Sequence, residues 1–133
     1  MVDAARRGVD VRLIVPAFTD SRIVLNATQS TFTPLLDAGV KIYELKDALL
    51  HAKSVVIDGS VSIVGSANLD MRSFLHNDEV NAIVIDRDFG QRMEEVFKRD
   101  ERASRPVTLE RWQKRSLWQR LKEFGVKIFG YWI

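Results

Sequence analysis

The residues best suited to act on a substrate lie within one short stretch of the chain. His51 and Lys53 are two positions apart at the start of a β-rich run, so their side chains share one face of a strand. Further polar and small residues follow that run and the next one. The resulting pattern, H-x-K-x4-D-x6-G-S-x-N, is formed by His51, Lys53, Asp58, Gly65, Ser66 and Asn68.

These residue types suit the cleavage or transfer of a phosphodiester. A neutral imidazole at His51 is a good nucleophile near pH 7, and a protonated one is a good acid. Lys53 offers a compact cation to a phosphoryl oxygen. Ser66 and Asn68 can donate hydrogen bonds to oxygens on which charge gathers in the transition state. The set requires no cofactor, and it lacks the ligand spacing of a metal site, so none is expected.

Each part of the pattern also has a structural interpretation when taken alone. A single histidine in a hairpin is more often a structural or surface residue, Asp58-Gly59 is a common hairpin turn, and Gly65-Ser66 can be a tight bend. The combination at this spacing favours a functional site. The other histidine, His76, has no lysine two positions later and is interpreted as a loop residue.

The elements that must position these residues alternate between strands and helices. The pattern predicts strands over 9–15, 41–45, 53–57, 61–64 and 79–86, and helices over 2–7, 21–38 and 87–103. Gly8 and Gly39 are expected to end the first two helices, and Asp20 or Ser21 to begin the second. The turn Asp58-Gly59-Ser60 should join two strands in a hairpin. The alternation indicates an α/β fold class.

Charge separates the body of the chain from its end. Residues 1–97 contain 10 Lys and Arg against 14 Asp and Glu, a net of −4, whereas residues 98–133 contain 10 against 4, a net of +6. An acidic body disfavours a nucleic-acid partner. The aromatic, basic end predicts one or two amphipathic helices, so we divide the chain into a domain over 1–104 and a tail over 105–133.

That tail has two interpretations. It is either an ordinary amphipathic segment packed on the domain, or it lies at a membrane interface with Trp112, Trp118 and Trp132 at the depth of the lipid headgroups. No run of about 18 apolar residues is present, so no membrane span is expected. The chain contains no cysteine, which excludes a disulfide framework, and its first residues lack the apolar core of a signal peptide.

The pattern at 51–68 resembles the HKD motif of the phospholipase D superfamily with its G-S-x-N extension. The resemblance implies a phospholipase D-like half-domain, with a mixed β-sheet flanked by helices, and a covalent phosphohistidine mechanism. It makes His51 the imidazole at phosphorus, as nucleophile or acid, and Glu79 the acidic residue that orients it. The implied phosphate ligands are Lys53, Ser66 and Asn68, and the implied structural positions are Asp58, Gly59 and Gly65.

Other segments are similar to the C-terminal half of the bacterial cardiolipin synthase branch. They are Ala5-x-Arg7-Gly8-Val9-x-Val11, the run from Leu35 to Tyr43, and Asp70-x-Arg72-Ser73-Phe74-x-x-Asn77-x-Glu79-Val80-Asn81. The implied reaction transfers a phosphatidyl group from one phospholipid, expected to be phosphatidylglycerol, to the hydroxyl of another. The implied location is a bacterial inner membrane, bound peripherally or through a preceding region, on the cytoplasmic side or on a side that the resemblance does not specify.

A complete site in this superfamily uses two HKD motifs, whereas this chain has one. The chain is therefore either the C-terminal half of an enzyme whose partner is an N-terminal HKD half, or a homodimeric phosphodiesterase of the phospholipase D or nuclease type. In the second case a two-fold axis would bring the His51 side chains of two copies together. A third alternative is a non-catalytic piece with an uncovered apolar face.

Overall fold

The computed structural model describes residues 1–19, 22–48, 50–68 and 77–115. They form two compact units, one from residues 1–48 and 103–115 and the other from the described part of 50–102. The first unit contains α1 (Val2–Arg6), β1 (Arg12–Pro16), α2 (Arg22–Ser30), α3 (Phe32–Asp37), β2 (Lys41–Leu45), β6 (Ser104–Val107) and α5 (Leu109–Gln113). The second contains β3 (Lys53–Ile57), β4 (Val61–Gly65), β5 (Asn81–Ile85) and α4 (Arg87–Arg102). The predicted α/β class is confirmed.

The first unit is built on a mixed sheet with the order β1-β2-β6. Strands β1 and β2 run parallel, and β6 is antiparallel to β2, pairing Leu45 with Ser104 and Ile42 with Val107. Strand β6 was not predicted, because it is short and contains Pro106. A proline is tolerated there, since β6 is an edge strand and a missing N–H does not interrupt a central ladder.

An apolar core lies within this unit. Phe32 and Ile42 are each 1% exposed, and Val15, Leu35, Val40 and Trp112 complete the cluster. The Trp112 ring centroid lies 5.0 Å from that of Phe32, and its Nε1 donates a hydrogen bond to Thr33 Oγ1 at 3.0 Å. Trp112 is therefore a core residue, which for this residue favours the packed interpretation over the membrane-interface one.

The helix predicted over 21–38 is two helices, α2 and α3, separated at Thr31. Pro34 explains the break, because it has no N–H to donate to the carbonyl of Ser30 and its ring crowds that carbonyl. The hydroxyls of Ser30 and Thr31 bond instead to the carbonyls of the preceding turn, each at 2.7 Å. Gly39 follows α3 with a φ of +91°, the left-handed conformation expected for a helix-ending glycine.

The second unit is built on an antiparallel sheet with the order β3-β4-β5. The predicted hairpin is confirmed: Asp58 and Gly59 have φ angles of +49° and +57°, and Ser60 N donates to Ile57 O at 3.1 Å. Positive φ at both central positions is the type I′ geometry that suits a tight hairpin. Helix α4 follows β5 and begins where Phe89 N donates to Asp86 Oδ1 at 2.7 Å, a side-chain cap.

Some expectations concern positions outside the described residues. These are the helix start at Asp20 or Ser21, the loop interpretation of His76, and the amphipathic helices beyond residue 115 with Trp118 and Trp132. Of the predicted tail, the described part contains α5 and the strand β6. The division at residue 104 stays a prediction. Within the described residues, no helix has both the length and the apolar character needed to cross a membrane.

Candidate active site

The predicted polar residues converge on one end of the sheet in the second unit. Lys53 pairs with Gly65 across β3 and β4, and Gly65 pairs with Asn81 across β4 and β5. Because the strands are antiparallel, the start of β3, the end of β4 and the start of β5 meet at this end. His51 stands two residues before Lys53, and Ser66 directly follows Gly65. The register therefore gathers side chains that are up to thirty positions apart in sequence.

The Lys53 ammonium is held close to the histidine. Its Nζ donates a hydrogen bond to the backbone carbonyl of His51 at 2.7 Å, while the His51 side chain is exposed. A lysine ammonium has three protons to donate, and this bond uses one. The remaining protons are left for other acceptors, and the role of Lys53 as a phosphate ligand stays a prediction.

Ser66 is connected to β5 through both its backbone and its side chain. Ser66 N donates to Val80 O at 3.0 Å, and Val80 N donates to Ser66 Oγ at 3.0 Å. Within the described part of the chain, the Ser66 hydroxyl donates its proton only in a long hydrogen bond, to Val80 O at 3.4 Å. A phosphoryl oxygen would accept this proton at shorter range, so the same hydroxyl can hold the loop through its lone pair and a substrate through its proton.

Gly65 is required by the close approach of β5. A Cβ at this position would collide with Asn81 Oδ1 and Val80 O, and would lie 2.7 Å from Asn81 Cα. Asn81 Oδ1 also accepts a hydrogen bond from Ala67 N at 3.4 Å, which fixes the loop that contains Ser66 and Asn68. Asn81 was not predicted from the sequence to build the site. Which residues lie opposite Asn81 depends on the register of β4 and β5, and spacing along the chain does not reveal that register.

The other candidate residues divide between the two ends of the sheet. Glu79 lies just before β5, where Asn77 Nδ2 donates to its Oε1 at 3.4 Å, and Asn68 follows Ser66 on the exposed loop. Both are at the polar end, and their roles stay predictions. Asp58 lies at the opposite end of β3, roughly 17 Å along the strand from Lys53 at ordinary strand rise. That position supports a turn role for Asp58.

The Asp58-Gly59 turn is itself a close-packed point. A Cβ on Gly59 would lie 3.1 Å from Glu94 Oε1, and one on Gly90 would collide with the backbone of Gly59. Helix α4 therefore contacts the hairpin turn through two glycines. This contact fixes the end of the hairpin remote from the polar residues.

Comparison with known proteins identifies the family of the chain. The family described as "Cardiolipin synthase, PLD-like domain" matches residues 1–101. Cardiolipin synthase A of Yersinia pseudotuberculosis is 48% identical over 122 residues, covering 90% of this chain and 25% of the relative. Cardiolipin synthase A of Pectobacterium carotovorum is 48% identical over 120 residues, with the same coverage. The chain thus spans about a quarter of the length of these relatives.

A solved structure has the same fold. A phospholipase D family member, Nuc from Salmonella typhimurium, superposes with a TM-score of 0.71 at 18% identity. The match covers 80% of this chain and 70% of that one. At this identity the likeness concerns the fold alone, and it confirms the expected half-domain architecture.

Proposed function

The chain belongs to the cardiolipin synthase family of PLD-like domains, and from that premise we propose that it supplies one of two catalytic half-sites of a phosphatidyltransferase. The observation that supports this most strongly is the convergence of His51, Lys53 and Ser66 on one sheet end. The 48% identity to two cardiolipin synthases A supports the lipid substrate. The other half-site would come from the part of the relatives that this chain does not span.

The proposed reaction has two steps with a covalent intermediate. One histidine attacks the phosphorus of a first phosphatidylglycerol, and the P–O bond to its glycerol headgroup breaks. The histidine of the other half-site gives its proton to the leaving oxygen, so that glycerol departs. That second histidine then takes the proton from a hydroxyl of a second phosphatidylglycerol. The new oxygen attacks phosphorus, the P–N bond breaks, and cardiolipin is released.

His51 takes one of these two roles, nucleophile or acid. Lys53, Ser66 and Asn68 hold the phosphoryl oxygens as negative charge develops, and Glu79 fixes the tautomer of the imidazole. No metal or cofactor takes part in the proposed steps. Since phosphatidylglycerol is a bilayer lipid, the site would work at a membrane surface, in peripheral contact with the inner membrane of a bacterium.

Reconstitution from two chains tests the proposal. Vesicles of labelled phosphatidylglycerol would be incubated with this chain, with the remaining portion of the Y. pseudotuberculosis relative, and with both. We expect cardiolipin and glycerol in equal amounts only from the mixture. His51→Ala should lower the rate at least about a thousandfold, and Lys53→Met about a hundredfold. Lys46→Met, an exposed lysine in the first unit, is the control and should keep full activity.

Other results of this experiment have definite meanings. Turnover that survives His51→Ala would overturn the assignment of the site. No cardiolipin from the mixture, with both chains folded by circular dichroism, would overturn the proposed reaction.

A homodimeric phosphodiesterase is the second candidate. It is supported by the solved phospholipase D family member, a chain of which this one covers 70%. Light scattering combined with hydrolysis of bis(4-nitrophenyl) phosphate separates the two candidates. A dimer that hydrolyses this diester alone, and loses the activity on His51→Ala, would favour the second candidate. A monomer without turnover would favour the first.

A further inference from the structure

A basic cleft lies within the first unit, built from residues outside the HKD motif. Its volume is about 250 Å³. The lining residues are Gln29, Glu44, Arg105, Pro106, Val107, Arg111, Trp112 and Arg115. Three arginines face one carboxylate, so the cleft carries a formal excess of two positive charges. An excess of this kind in a small concave site attracts an anion.

The one carboxylate of the cleft is already paired. Glu44 is buried, and its Oε2 accepts a hydrogen bond from Arg105 at 2.6 Å. This pair links β2 to β6 and fixes the Arg105 guanidinium at the wall of the cleft. Glu44 therefore neutralises Arg105 and leaves the charges of Arg111 and Arg115 to determine what binds.

Arg115 is held in place before any ligand arrives. Its Cζ lies 4.3 Å from the centre of the Trp112 ring, and its Nη1 donates to the Trp112 carbonyl at 2.8 Å. Its Nη2 contacts Thr33 Oγ1 at 3.4 Å. Stacking on an aromatic face orients a guanidinium at little further entropic cost, which is the preorganisation that a binding site needs.

Arg111 is the arginine of the cleft whose guanidinium has no partner among the described residues. Among the described residues, its guanidinium makes no hydrogen bond or ion pair, and its backbone N donates to Thr108 Oγ1 at 3.4 Å. The cap at Thr108 fixes the start of α5, so that Arg111, Trp112 and Arg115 follow within two turns of chain. A planar guanidinium with free donors binds phosphate in a bidentate manner.

We propose that this cleft binds the phosphate group of a phosphate ester, held by Arg111 and Arg115 with the organic part against Pro106, Val107 and Trp112. The arginines select the phosphate, and the apolar wall favours an ester over inorganic phosphate. A lipid headgroup in a bilayer and a soluble ester such as glycerol phosphate share this chemistry. The proposal does not depend on His51, since all of its residues belong to the first unit.

Titrations of the 133-residue chain test the proposal. The probes are inorganic phosphate, sn-glycerol 3-phosphate, and vesicles of phosphatidylglycerol or phosphatidylcholine. The readout for soluble probes is the Trp112 indole N–H resonance, identified by its absence in Trp112→Phe; it reports on this cleft and not on a phosphate bound near His51. Vesicle binding is measured by co-sedimentation. Arg111→Gln is the principal variant, and Arg6→Gln, an exposed arginine of α1, is the matched control.

We expect saturable binding that Arg111→Gln weakens about tenfold, the usual effect of losing one charge-assisted contact, and that Arg6→Gln leaves unchanged. A shift of the Trp112 resonance on addition of sn-glycerol 3-phosphate would support the proposal with a soluble phosphate ester as the ligand. Binding that depends on Arg111 and occurs only with phosphatidylglycerol vesicles would support the proposal with a lipid headgroup as the ligand. Equal weakening by both substitutions would indicate general charge attraction and overturn the proposal. So would the absence of binding to every probe. Since the Arg111 side chain is exposed and makes no hydrogen bond or ion pair among the described residues, its replacement should leave the fold intact.

Discussion

The two three-stranded sheets differ in where their residues are buried. In β2, the central strand of the first sheet, three of five residues are buried, whereas in β4, the central strand of the second, one is. Ile83 and Ile85 on β5 are 67% and 80% exposed. All of the buried large apolar residues among those described belong to the first unit. The first sheet thus supplies hydrophobic stability, and the second arranges polar groups at one end.

This difference has a physical basis in the two sets of residues. Burial of apolar area stabilises a fold without direction, so the first unit needs volume and close packing. A catalytic end needs register and backbone geometry, which in the second unit come from a type I′ turn and close glycine contacts. The four predictions that follow test this contrast, beginning with the largest effect.

Phe32→Ala should lower the free energy of unfolding by about 3–5 kcal/mol, because it opens a cavity in the core of the first unit. Phe89→Ala removes the same side chain from α4, where it is 37% exposed, and should cost less than half as much. Urea denaturation followed by far-UV circular dichroism measures both. Equal losses would show that the two units do not differ in their apolar contribution.

Gly65→Ala should lower the free energy of unfolding by about 1–3 kcal/mol through overpacking. It should also lower the turnover of phosphatidylglycerol by the two-chain mixture, because the new Cβ forces β5 away from β4 at the polar end. Adding Asn81→Ala removes the clash with Asn81 Oδ1 and leaves those with the Val80 carbonyl oxygen and the Cα of residue 81. The double variant should therefore recover part of the stability and none of the turnover. Full activity in Gly65→Ala would mean that the approach of β5 is not needed for the site.

Ser62→Ala should stabilise the chain by about 1 kcal/mol. Ser62 is fully buried in β4, and its Oγ has no hydrogen-bond partner among the described residues. Desolvation of this hydroxyl is therefore not offset by a hydrogen bond. Ser54→Ala, at an exposed position of β3, is the control, expected within about 0.5 kcal/mol of zero. Thermal unfolding measures both; a destabilised Ser62→Ala would indicate that the hydroxyl is satisfied.

Asp10→Asn should have the smallest effect, lowering the free energy of unfolding by less than about 1 kcal/mol, as for other exposed ion pairs. The Arg12 guanidinium, with Lys41, lowers the pKa of Asp10 to about 2. A depressed folded-state pKa gives stability above the unfolded value of 3.8 that is lost as pH falls towards 2. The difference in Tm between wild type and Asp10→Asn should therefore be present at pH 7 and vanish near pH 2. Asp37→Asn serves as a control, and a difference that persists at pH 2 would contradict this assignment.

Local signals made much of the fold predictable. Lys41–Leu45 was predicted with its observed bounds, and the Asp58-Gly59 hairpin was predicted because two residues with positive φ define it. The break at Thr31 was missed although Pro34 is visible, because the helical apolar pattern continues across it. Strand β6 was missed because it depends on pairing with β2, which is distant in sequence.

The site was predictable to a different extent. Residue types and spacing predicted that His51, Lys53 and Ser66 lie together, and the strand register places them at one end of the sheet, while their catalytic roles stay predictions. Asn81 could not be recognised, because its role depends on lying opposite Gly65 across two strands. Trp112 was ambiguous for a similar reason, since an amphipathic pattern does not reveal whether its apolar face meets protein or lipid.

The pairing of Leu45 with Ser104 has a consequence for how the chain folds. The two residues are antiparallel neighbours, yet 59 positions separate them in sequence. The sheet of the first unit cannot be completed until that loop closes, so its contact order is high and its folding should be slow. During synthesis, β6 emerges after the whole second unit, which can form its local hairpin first. A two-residue turn joining Leu45 directly to Ser104 would convert this late, long-range pairing into an early local one.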